Sequence, residues 1–165
     1  MNKFNLTSMI AAFLLLFTNC IQAQTTQAKL DQLKLTQVFV GTWQHVISKD
    51  SIEIAEFQQY GNAFVENVYL VVNGKKSIEV MWNFGFSPKE GKFKIFQLRP
   101  SGNYSTWIGS FTTEKRFIGD RVQNFNPEKV LGKFEIEVET PTNFTVNFFN
   151  SDGVKTLVQK VTKVK

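Results

Sequence analysis

His45 is the single histidine of the 165-residue chain, and it follows Trp43 by two positions in Gly41-Thr-Trp-Gln-His45. On an extended strand that spacing puts both side chains on one face, so an inward-pointing indole carries the imidazole inward with it. Such an imidazole can bond a neighbouring strand, orient the polar end of a ligand, or serve as a general acid, general base or haem ligand. The structural role is the first expectation and contact with a ligand the functional one. Gln97 and Arg121 are weaker candidates for polar anchors, because the facing of their strands is ambiguous. Trp82, Phe93, Ile95, Trp107, Phe134, Ile136 and Phe144 are apolar residues that could line one wall of a pocket, or simply fill a core.

Other chemistry has little foothold. Nucleophilic catalysis needs a nucleophile, a base and an orienting group, yet the chain has one cysteine, one histidine and no Gly-x-Ser-x-Gly turn. Neither a phosphate-cradling glycine loop nor an EF-hand is present, and zinc would want Cys and His together. Glu135, Glu137 and Glu139 alternate with Phe134, Ile136 and Val138, so they read as the wet face of a strand rather than an acid pair for catalysis. No cofactor or metal is expected, and a binder is expected ahead of an enzyme.

The elements that must position these residues begin after a leader. Met1 to Ala23 carries one cation, Lys3, then an apolar run from Met9 to Phe17 that is too short to span a bilayer as a helix. We read residues 1–23 as a signal peptide cut after Ala23, and residues 24–165 as one domain, secreted or periplasmic. A lipid anchor at Cys20 is the minor alternative, disfavoured by Asn19 where Ala, Gly or Ser is wanted. Removing 23 of the 165 residues leaves 142 and takes the formal charge from +5 to +4 as Lys3 departs. A domain of that length buries about 68% of its unfolded surface, enough for a core without disulfides. The cations are scattered, with pairs such as Lys75-Lys76 and Lys115-Arg116 as the densest clusters, so nucleic acid is not an expected partner. Asn103-Tyr-Ser105 and Asn143-Phe-Thr145 match glycosylation acceptors by pattern but read as ordinary turn and strand residues.

Leu30, Leu33 and Val38 are spaced for one side of a short helix leading into the first strand. Beyond Gly41 the apolar period falls to two, at Ile78-Glu-Val-Met-Trp-Asn-Phe-Gly-Phe86, which places Ile78, Val80, Trp82, Phe84 and Phe86 on one face, and again at Phe134–Val138 and Phe144–Phe148. Asn73-Gly74, Lys89-Glu-Gly91, Ser101-Gly-Asn103 and Asp152-Gly153 are hairpin turns between such runs. They divide the chain into strands near 42–48, 52–59, 62–72, 77–86, 92–98, 104–111, 115–122, 132–139, 143–149 and 155–163. Short links make neighbours antiparallel, and an open sheet of this length would expose two edges. The expected fold is therefore all-β: an up-and-down antiparallel barrel of about eight to ten strands with a short N-terminal helix. A barrel of this size has room for a small ligand unless large side chains fill it.

Gly41-Thr-Trp43, after a helical lead and at the start of the first strand, resembles the Gly-x-Trp signature of lipocalins and related calycin barrels. Phe84-Gly-Phe-Ser-Pro-Lys-Glu-Gly-Lys-Phe93, Pro100-Ser-Gly102 and Trp107-Ile-Gly109 are similar to a secreted bacterial lipocalin-like family of uncharacterised function, and the likeness spans about residues 36–164. The resemblance implies that Trp43 closes the barrel floor, usually beneath a late-strand Arg. No Arg follows Arg121, which leaves Lys160, a backbone group or no charged group as the partner. The Thr-Asp-Tyr type of motif found later in lipocalins is not evident.

The expected function is a secreted barrel holding a small apolar or amphipathic molecule. The alternatives are a filled barrel that presents Pro100–Asn103 or Asn124–Leu131 to an envelope partner, and, third, a barrel-site isomerase or cyclase. A binder should contain a void of a few hundred Å³, whereas a filled module should not.

Overall fold

The computed structural model describes residues 30–164. The leader, its cleavage point and Cys20 lie outside the described residues. A one-turn helix, α1 (Gln32–Thr36), and a 3-10 turn (Gln37–Phe39) lead into ten strands. These are β1 (Gly41–Ser48), β2 (Ser51–Tyr60), β3 (Ala63–Val72), β4 (Lys75–Ser87), β5 (Lys92–Leu98), β6 (Tyr104–Thr113), β7 (Arg116–Gln123), β8 (Asn126–Thr140), β9 (Asn143–Asn150) and β10 (Lys155–Lys163). Each pairs antiparallel with the next, and β10 returns to β1, closing the barrel.

The turn chemistry explains the order. Asn73 and Gly74 both hold positive φ, 50° and 77°, the combination that a two-residue hairpin turn requires and that Asn-Gly tolerates. The alternation of apolar residues then sends Trp82, Phe84, Phe93, Ile95, Trp107, Phe117 and Phe134 into one aromatic core.

Two departures from the expected pattern matter. β8 begins at Asn126 rather than near 132, so most of Asn124–Leu131 is strand. In β4 the register slips: Val68 faces Val80 while Tyr69 faces Ile78, which leaves Glu79 as the unpaired residue of a bulge. A bulge re-aims the side chains beside it. Ile78, expected to face inward with Val80, is instead 47% exposed.

The floor is built by the N-terminal segment. Asp31 caps α1 by accepting from the Lys34 N–H, and the Gln32 carboxamide clamps Phe111 of β6, donating to its carbonyl at 3.1 Å and accepting from its N–H at 2.7 Å. Phe39 thereby enters the barrel end, with ring centroids 5.5 Å from Phe144, 5.7 Å from Phe111 and 5.9 Å from Phe57. Trp43 is 1% exposed, and its Nε1 donates to the Phe39 carbonyl at 2.6 Å. Lys163, not Lys160, supplies the cation: its Nζ lies 5.1 Å from the indole and donates to the Val40 carbonyl at 2.8 Å. A backbone group and a late-strand lysine together take the place that the resemblance reserves for an arginine.

Candidate functional site

Between the floor and the opposite end, a cavity of about 340 Å³ is lined mainly by the inner faces of β1–β4 and β8–β10, with Gln97 of β5, Arg99 just beyond it and Phe117 of β7 completing the lining. It lies to one side because the β6–β7 side is filled. Gly109 and Gly119 face each other across β6 and β7, and they leave room for the rings of Phe117 and Phe134. A Cβ on Gly119 would fall 2.4 Å from the Phe134 ring, and one on Gly109 2.7 Å from Phe117. The two phenyl rings stack at 5.8 Å, and Trp107 packs against Phe134 at 5.2 Å and Trp82 at 5.5 Å.

Of the residues singled out from the sequence, His45, Trp82, Gln97, Phe134, Ile136 and Phe144 line the cavity, as does Trp43 near the floor. Phe93 and Ile95 are fully buried but belong to the packed core, and Trp107 stands behind Trp82 and Phe134; none of the three lines the cavity. Arg121 is exposed on β7, where the pairing with β8 shifts register, and it also lies away from the cavity. The Trp107 indole N–H has no hydrogen-bond partner among the described residues, and aromatic surfaces pack around it.

His45 sits at the seam that closes the barrel. β1 and β10 pair only through Trp43 opposite Lys163 and Gln44 opposite Thr162, after which they diverge. The imidazole bridges the gap: Nδ1 lies 2.9 Å from the Lys160 carbonyl. A carbonyl only accepts, so Nδ1 carries the proton and Nε2 is left for another partner. The ring borders both the interior cavity and a groove on the outer surface flanked by Val46, Val158 and Val164.

The polar groups of the cavity are mostly ones that the sequence reading did not select: Glu53, Glu66, Glu79, Arg99 and Gln159. Hairpin register places them. His45 faces Glu53 and Trp43 faces Ala55, so the inward set of β1 draws in Glu53, Ala55 and Phe57 of β2. Phe57 in turn faces Glu66 of β3, and Glu66 faces Trp82 of β4. A period-two reading of Ile52-Glu-Ile54 alone would bury the isoleucines instead. The signal that was available is in β3, where Glu66 falls in step with Phe64 and Val68.

Glu53 accepts from Gln159 Nε2 at 2.6 Å, and Glu79 lies 3.6 Å from Arg99. Glu66 makes no side-chain hydrogen bond or ion pair with any described residue. Burial, reinforced by the charge on Glu53, pushes its carboxyl up to about 7. Glu53 is raised too, by burial and then by Glu79, with His45 and Arg99 opposing. Among the described residues no group of His, Cys, Asp or Glu is arranged to hold a metal ion.

On the outer face the Glu135 stripe behaves differently. Glu135 is only 6% exposed because Arg116 and Lys133 fold over it, each at 2.6 Å. Burial opposes its ionisation, but the hydrogen bonds from Lys133 and Arg116 outweigh that and hold the carboxyl below its ordinary range. This is a structural triad on the barrel exterior, away from the cavity.

Neither a protein-family model nor a curated protein matches the chain. The fold and the site define a class: a closed, ten-stranded antiparallel barrel with an aromatic core and an internal cavity.

Proposed function

We propose that this protein is a secreted, non-catalytic carrier of lipocalin-like type that holds one small apolar or amphipathic molecule inside its barrel. The observation that carries this reading is the cavity of about 340 Å³, within the size range of small-molecule sites and walled by Trp82, Phe84, Phe134 and Phe144. Gly41-Thr-Trp43 at the closed end, preceded by a helical plug and capped by Lys163, supports the lipocalin-like assignment. The apolar leader supports export, with Cys20 lost alongside it. Apolar walls supply affinity through buried area, and the few polar groups orient the ligand.

Native mass spectrometry of gently purified protein tests the reading. The expected spectrum contains a retained molecule of a few hundred daltons that is released on denaturation. Protein that is consistently empty, with tryptophan emission unmoved by apolar and amphipathic probes, would overturn it.

A further inference from the structure

The interior cavity is unbalanced in charge. Three carboxylates, Glu53, Glu66 and Glu79, line it against one arginine, Arg99, and that arginine already faces Glu79. Glu53 has a neutral donor, Gln159. Glu66 is half-buried, lines the cavity, and has no side-chain partner among the described residues.

Its neighbours are as informative as its isolation. Phe57 stands opposite Glu66 on β2 and Trp82 stands opposite it on β4, and all three line the cavity. The carboxylate is therefore flanked in one cross-strand row by a phenyl and an indole ring. A carboxylate offers a cation its counter-charge, and aromatic faces attract the same cation through their quadrupoles, Trp most strongly. An anionic head group would meet Glu53 and Glu66, and the one arginine among the described lining residues, Arg99, already faces Glu79. A metal ion would need convergent ligands, and these carboxylates do not converge.

We propose that the ligand is an organic monocation: an apolar body carrying one protonated amine, seated with its ammonium against Glu66 between Phe57 and Trp82. The raised affinity of the Glu66 carboxyl for its proton has the same origin, a buried negative site without a counter-ion. Val68, Val80 and Val146 give the apolar body its remaining walls.

This proposal rests on the carrier reading, and the test separates the two. Decylamine, decanol and decanoate share one chain and differ in the head group. Each is titrated below its aggregation concentration at pH 8, followed by tryptophan emission and calorimetry. The expected result is that decylamine binds at least about tenfold more tightly than either of the others, a difference of about 1.4 kcal/mol. Glu66→Gln should bring decylamine to within about threefold of decanol while leaving decanol binding intact. That variant replaces a buried charge by a neutral isostere, so it should fold. Equal affinities, a preference for decanoate, or an amine preference that survives Glu66→Gln would overturn the cation assignment and leave the carrier reading standing. Failure of all three to bind would overturn both.

Discussion

Glu66 shows how one side chain can set the pH response of a barrel. Its carboxyl sits at about 7 in the fold against an ordinary 4.5, so between those values the native state holds more protons than the unfolded chain. Stability therefore falls as pH rises from about 4.5 to 7, by about 3 kcal/mol when the full shift is counted. Glu53 pulls in the same direction, and Glu135, whose carboxyl is lowered, pulls in the other. We expect Glu66→Gln to match the parent below pH 4.5, to gain on it up to pH 7, and to hold a constant advantage above. Urea denaturation at pH 4.5, 6 and 8 measures this, and a difference that does not change with pH would show that Glu66 carries no such penalty. The cavity position of Glu66 was only faintly legible: a Glu in step with Phe64 and Val68 looks like a broken alternation until β2 and β4 supply its neighbours. His45 was better read, because two residues from Trp43 on a strand means the same face.

At the scale of elements, short segments hold the barrel end shut. α1 is one turn long and would not persist alone, since helix nucleation is unfavourable and tertiary contacts must supply the stability. Its anchor is the Gln32 carboxamide, which satisfies both backbone groups of Phe111. Gln32→Ala removes both bonds and leaves a buried N–H and carbonyl without partners, so it should cost about 1–3 kcal/mol by chemical denaturation. The loss should exceed that of Lys34→Ala on the same helix, and equal losses would reject the clamp. The helix was predicted from Leu30, Leu33 and Val38, but the clamp was not, because nothing local links Gln32 to a residue 79 positions on. The β4 bulge is a similar case. Ile78 keeps the apolar period in the sequence, and pairing with β3 is what ejects it and releases Glu79 toward the cavity.

For the whole molecule the decisive feature is closure. Nine of the ten junctions are hairpins between consecutive strands, whereas the tenth joins the first strand to the last by a short stretch of pairing and the His45 bridge. The barrel should therefore open there first. Hydrogen exchange is expected to be faster at the amides of Val46–Ser48 and Lys155–Val158 that face the seam than at the β3–β4 amides of Val65–Val68. Uniform protection around the ring would show instead that closure is as firm as any hairpin. At the seam, His45 borders both the cavity and the outer groove.

What the sequence determined by itself is everything local. Alternation marks strands, Asn-Gly and its kin mark turns, and nine of the ten strands begin and end within a few residues of where those signals place them. Closure followed from the need to hide two edges. The tertiary structure alone decided which interior positions border space and which border other side chains, because that depends on residues from distant strands competing for one volume. Phe93, Ile95 and Trp107 are as apolar as Trp82 and Phe134, yet the rings that Gly109 and Gly119 admit fill their side of the barrel, while open space remains in front of Glu66. Hydrophobic periodicity reports which face is inside; only packing reports whether the inside is full.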